Sequence, residues 1–288
     1  MTFVSRIGAW RLLVLAVGAA ATACSLLIDT DQLGGPETAS ALDAGGSDSG
    51  LEASVLDADS GSPDSGPTYR DEILADNPLA YYRLGESSGT VASDETGNGH
   101  TGTYVAVMQG VPGALASDPN TAVSIVKADT SHVALSDRLT VSGRGAFSIE
   151  AWIKPNALDE TYRFVVCNER SAPRHGYAIV VHAQHGVFFE RYVANDQKAT
   201  PAAAIAAGVY SHVVGTYDGS TLRLYMNGAL ASEEGDVRNM PAYTTPAAIG
   251  AYLQFADSVF DGAVDEVALY ATALAPDRVK PHFDAARR

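Results

Sequence analysis

The stretch YSHVVGTYDGSTLRLYMNGALAS (210–232) places Asp218-Gly219 and Asn227-Gly228 between runs of β-branched, aromatic and aliphatic residues. Asp-Gly and Asn-Gly supply the positive backbone angles of primed two-residue turns, whose twist matches that of paired strands. The spacing therefore predicts three consecutive antiparallel strands. In the middle one, Leu222, Leu224 and Met226 fall on one face and Arg223, Tyr225 and Asn227 on the other. One side is expected in a core and the other wet or concave.

The same texture extends outward from this meander. AYYRL (80–84), AVSIV (122–126), FSIEAWI (147–153), RFVVCN (163–168), YAIVV (177–181), VFFERYV (187–193) and VDEVALY (264–270) are short β-type runs separated by Gly, Asn, Asp and Pro clusters. A train of such runs predicts an all-β sandwich or barrel. Two short helices flank it. YRDEILADNP (69–78) should close before Asn77, because the residue before a proline is pushed out of the helical region. APDRVKPHFDAA (275–286) has helical spacing at Val279 and Phe283, with Pro281 expected to limit its length.

Ahead of these elements the chain changes character twice. Arg6 and Arg11 precede the apolar run LLVLAVGAAATA (12–23), which is shorter than the roughly 20 residues a membrane-spanning helix needs and reads as a secretory signal. Ala21, Thr22 and Ala23 then lead into Cys24, and this junction resembles the lipobox of bacterial lipoproteins, where that Cys is lipidated. Ser25 after it resembles the outer-membrane signal of Gram-negative lipoproteins. The alternative is an ordinary cleaved signal. Lipid on Cys24 leaves Cys167, in an apolar strand, as a buried free thiol, whereas a Cys24–Cys167 bridge would tie two remote regions together. From Asp31 to Pro67 the sequence is rich in Ser, Gly, Ala and Asp and has no apolar face to bury, so it is expected to be a charged, disordered tether. The organisation expected is a signal peptide at 1–23, a lipidated N-terminus and acidic linker at 24–67, and one globular domain at 68–288.

Net charge is -15, and it becomes -17 once residues 1–23 are removed. Nine acids and no Lys or Arg lie in residues 29–66, so the tether carries about half of the acidity. No basic stripe is present, which argues against nucleic acid as a partner.

The motifs AYYRLGESSG (80–89), DETGNGHTGTY (94–104), FSIEAWIKP (147–155), the meander itself, IGAY (249–252) and FDGAVDEVALYATALAPDRV (260–279) occur in order over residues 69–286. Together they resemble the LamG-like jelly-roll domains of the concanavalin A-like lectin and glucanase group. Tyr82 and Tyr210 stand where that family frequently has Trp. The resemblance implies two antiparallel sheets with a jelly-roll crossover and short peripheral helices. It also implies a structural Ca²⁺ held by Asp94, Asn98 and Asp265, with carbonyls near Gly97 and His100. The DETGNGH loop has oxygen ligands that suit a hard cation; the same residues would equally make an Asp-Asn-Gly turn and a late-strand acid with an ordinary partner.

For ligand contact, Trp152, Tyr192, Tyr225 and Tyr252 are the candidate sugar-stacking aromatics, each of which could instead fill core. No catalytic set stands out. Glu150 offers one acid where glycan hydrolysis needs two on one cleft. Asp265 and Glu266 are adjacent and should face opposite ways, as should Ser211 and His212. His175, His182 and His185 lack metal-binding spacing. RSAPRHG (170–176) reads as a solvated hairpin end. The expectation is a monomeric, non-catalytic module displayed from the outer membrane and binding carbohydrate or a glycosylated envelope protein. The alternatives are a structural envelope protein without a glycan ligand and, third, a glycan-cleaving enzyme.

Overall fold

The computed structural model describes residues 66–127, 130–136 and 139–288. The signal at 1–23, Cys24 and nearly all of the acidic linker lie outside the described residues.

The described chain enters through helix α1 (Tyr69–Ala75), which Thr68 starts by accepting from the Asp71 amide while Asp71 caps the Thr68 backbone in return. Short strands β1 (Ala80–Tyr82), β2 (Val91–Ala92), β3 (Gly102–Val105), β4 (Met108–Pro112), β5 (Thr121–Ile125) and β6 (His132–Ala134) follow. The long strands come next: β7 (Phe147–Pro155), β8 (Arg163–Ser171), β9 (Arg174–His182) and β10 (Gly186–Val193), with β11 (Asp196–Ala199) at their end. The predicted meander is β12 (Ser211–Tyr217), β13 (Thr221–Met226) and β14 (Ala229–Gly235). Strands β15 (Ala248–Ile249) and β16 (Gly262–Tyr270) and helix α2 (Pro276–Ala285) complete the chain.

The strands form two antiparallel sheets. The first runs β14-β13-β12-β7-β16-β5-β4, with β1 also paired to β16. The second runs β11-β10-β9-β8-β15-β6-β3-β2. Between them lies one apolar core in which Ile149, Ala151 and Ile153 of β7 face Val166 of β8, Ile179 and Val181 of β9 and Phe189 of β10. The fold is the jelly-roll sandwich that the resemblance implied, with two short helices outside the strands.

Three local expectations need correction. Pro281 does not shorten α2, which runs through it; burial of Val279, His282 and Ala285 against the first sheet offsets the hydrogen bond it forfeits. Asp265 and Glu266 do not fall on opposite faces of the strand, since both lie between Val264 and Val267, which face the inner core. The register slips between Asp265 and Ala268, Glu266 takes φ +50, and both side chains are fully buried, as a β-bulge allows. The outer face of the meander is wet only in part: Arg223 is half-buried and Asn227 exposed, but Tyr225 is covered. Tyr225 is only 2% exposed and joins Tyr69, Trp152, Tyr270 and Val279 in a second apolar cluster.

Candidate functional site

The outer face of β8, β9 and β10 follows from their register. Cys167 pairs with Ala178, which pairs with Glu190, and Glu169 pairs with Gly176, which pairs with Tyr192. Side chains of one such row share a face. Because β9 contributes only Gly176 and Ala178 to the middle of these rows, a hollow opens between β8 and β10. Gly176 is required there. It has φ +133, and a Cβ would lie 2.0 Å from the Asn168 carbonyl oxygen.

The loop after β15 flanks this hollow with Tyr252, Phe255 and Ser258, forming an open cavity of about 380 Å³. Phe164, Tyr192 and Tyr252 supply its apolar wall, and Tyr162, exposed at the rim, stacks with His182 and His185. The Tyr252 hydroxyl is buried with no hydrogen-bond partner among the described residues.

Arg174 organises the cavity floor. Its Nε donates to Glu169 Oε2 at 2.7 Å and its Nη2 to Glu190 Oε1 at 3.0 Å. Its guanidinium lies 3.5 Å from the centre of the Tyr192 ring and 5.4 Å from that of Tyr252, a cation–π arrangement. Gln197 donates to the other Glu190 oxygen. Burial pushes the Glu169 carboxyl well above its ordinary range and the Glu190 field adds to this, with Arg174 opposing. Burial raises Glu190 as well, against Arg174. Both carboxyls thus share the charge of one guanidinium, through its Nη2 at 2.6 and 3.0 Å.

The aromatic candidates thus divide. Tyr192 and Tyr252 line the cavity. Trp152 and Tyr225 do not, and their assignment to ligand contact is corrected: Trp152 is 5% exposed, stacked on Phe283 at 5.9 Å and edge-on to Tyr69 at 6.5 Å beneath the helices. Arg174, Glu169 and Glu190 were not singled out by the sequence. The hairpin end RSAPRHG holds Arg174, whose side chain folds back over the sheet rather than into solvent.

The residues implied for Ca²⁺ are employed separately. The Asp94 carboxylate accepts from the amides of Tyr81, Thr96 and His100 and from the Thr96 hydroxyl. The Asn98 amide donates to the carbonyls of Pro78 and Leu79. Asp265 accepts from the Ala114 amide through Oδ2, while its Oδ1 is buried without a partner. Asp94 and Asp265 share no hydrogen-bond partner. Among the described residues, no three His, Cys, Asp or Glu side chains are grouped to hold a metal.

Residues 127–280 match the sequence profile of the concanavalin A-like lectin/glucanases superfamily. The chain belongs to that superfamily. No curated protein sequence matches the chain. Among solved structures, this superfamily member is similar to domain 4 of AbnA, a GH43 extracellular arabinanase from Geobacillus stearothermophilus, in complex with arabinotriose. There the identity is 21% and the TM-score 0.54, with 71% of this chain and 97% of that one covered. It is also similar to the binding domain of paraclostridial mosquitocidal protein 1 (16% identity, TM-score 0.58, 73% and 52% covered). A third is Trypanosoma rangeli sialidase in complex with sialic acid (12%, TM-score 0.52, 71% and 32% covered). The chain spans about half of the mosquitocidal binding domain and about a third of the sialidase. At these identities the likeness is one of fold.

Proposed function

We propose that this chain is a non-catalytic carbohydrate-binding module that takes its ligand in the cavity on the outer face of the second sheet. The observation that carries this reading is the cavity's composition: aromatic walls next to a few fixed polar groups, with one buried hydroxyl, that of Tyr252, left unpartnered. Flat aromatic faces stack on the apolar faces of sugar rings, and fixed polar groups orient the hydroxyls. Two proteins of similar fold, the arabinanase domain and the sialidase, carry saccharides in their structures, which supports the same ligand class here. Hydrolysis is disfavoured because retaining and inverting glycosidases hold their carboxyls roughly 5 Å or more apart. Glu169 and Glu190 are instead held together on the single guanidinium of Arg174.

The module is further proposed to be exported and held at the outer membrane by lipid on Cys24, with the acidic linker as its tether. Metabolic labelling with palmitate, retained in the wild type and lost in Cys24→Ser, tests the anchor. A glycan array tests the ligand: binding by wild type that Tyr192→Ala abolishes supports the cavity. A blank array together with one stoichiometric envelope protein in a pull-down would favour protein docking instead.

A further inference from the structure

The cavity carries more negative than positive charge. Arg174 is the one basic side chain among its lining residues, and it is engaged by Glu169 beneath it and Glu190 beside it. Asp257 also lines the cavity, is exposed, and its carboxylate has no hydrogen bond or ion pair among the described residues. Three carboxyl groups thus stand against one guanidinium. Around them stand Tyr252 and Phe255, edge to face with ring centres 4.8 Å apart, with the buried Tyr252 hydroxyl still lacking a partner.

Aromatic faces next to carboxylates attract a cation both through the ring quadrupole and by direct charge. An acidic sugar would bring a further carboxylate to Asp257 and find Arg174 already committed. Resting on the saccharide reading above, we infer that the cavity selects an amine-bearing sugar, with its ammonium at Asp257 against the Tyr252–Phe255 pair. An N-acetylated counterpart has the same ring but no charge and loses this contact.

Isothermal titration of the full chain at about pH 6 and low salt, where sugar amines are protonated, with three probes decides the matter: tetrameric glucosamine, its fully N-acetylated form, and tetragalacturonate. The aminated tetramer should bind about tenfold more tightly than the acetylated one, a difference of about 1.4 kcal/mol, and the uronate should not bind. Asp257→Asn, at an exposed position where folding is not at stake, should shrink the preference about threefold. Equal affinity for the aminated and acetylated tetramers, tightest binding of the uronate, or an unchanged preference in Asp257→Asn would each overturn the amine inference while leaving sugar binding intact. If none of the three binds, the saccharide reading falls with it.

Discussion

Nδ1 of His282, in the last helix, lies 3.0 Å from Oε2 of Glu150, in the middle of the first sheet, and both side chains are fully buried. Nε2 of His212 is 2.7 Å from the same carboxylate, and the hydroxyls of Tyr69 and Tyr270 each donate to it at 3.0 Å. The other ring nitrogen of His282 stands 3.0 Å from the Asp76 carboxylate at the end of α1. One carboxylate at the sheet centre thus ties down the helices at both ends of the domain. Both oxygens of this strand acid thus have structural partners.

This network gives stability a defined pH window. Burial alone would raise the Glu150 carboxyl, but His282 and His212 outweigh it and hold it well below the ordinary range. Burial would lower His282, but Glu150 and Asp76 outweigh it and raise the imidazole. The lowered carboxylate contributes fully above its unfolded value near 4.5 and loses that contribution as pH falls. The raised imidazole contributes fully below its unfolded value near 6.5 and loses it as pH rises through the folded value. Melting temperature should therefore peak at about pH 5 to 6. His282→Gln should remove the alkaline decline and lower the melting point by about 10 °C, from a loss of about 3 kcal/mol. A pH profile unchanged by His282→Gln would refute the pairing.

Trp152 and Tyr192 separate packing from recognition. Trp152→Ala should cost about 3–5 kcal/mol through the cavity it leaves under the helices, while the folded protein keeps its saccharide affinity. Tyr192→Ala, at a half-buried wall that also faces Arg174, should lose saccharide binding with a far smaller change in melting. Denaturant titration and calorimetric binding on the same preparations give both numbers. Loss of affinity in folded Trp152→Ala would place the ligand elsewhere.

Much of the fold was legible because it rests on local rules. The turns at Asp218-Gly219 and Asn227-Gly228 and the runs at 147–153, 177–181 and 187–193 each announce a strand within ten residues or so. Strands β2, β3, β4, β6, β11 and β15 are too short or too irregular to show a period. What alternation cannot tell is whether a second face meets water or another element. Tyr225 has the spacing of an exposed residue and is buried in a cluster with residues of α1 and α2, elements far from it in sequence. The site was less legible still. Glu169, Arg174 and Glu190 form no motif, and only the register that sets Glu169 beside Gly176 and Gly176 beside Tyr192 brings them together. Glu266 misled for a related reason, since a bulge suspends alternation.

The Asp94 loop yields a prediction about metal. Because that carboxylate is already satisfied by three amides and a hydroxyl, which together outweigh burial and keep it lowered, it acts as the organiser of its own turn. Asp94→Ala should destabilise the domain by about 2 kcal/mol, the scale of hydrogen bonds to a charged acceptor. The loss should be equal in excess chelator and in millimolar calcium. A wild-type melting point that rises with calcium and falls with chelator, in a way Asp94→Ala abolishes, would instead establish the ion.

Gly176 connects the fold directly to the site. Any side chain there meets the Asn168 carbonyl oxygen at 2.0 Å and the Glu169 Cα at 2.7 Å, and it must adopt φ +133. Neither contact can move without shifting β8, which carries Glu169. Gly176→Ala should therefore cost at least about 1–3 kcal/mol from strain, and it should also displace Glu169 from Arg174 and weaken ligand binding in whatever fraction stays folded. Gly97→Ala is the contrast, because its φ of +76 is nearer the left-handed region other residues can adopt and space is open around its Cβ position. It should cost about 1 kcal/mol from backbone strain alone and leave binding untouched. Equal effects of the two substitutions on ligand affinity would mean that the gap at Gly176 serves the backbone only and does not shape the cavity.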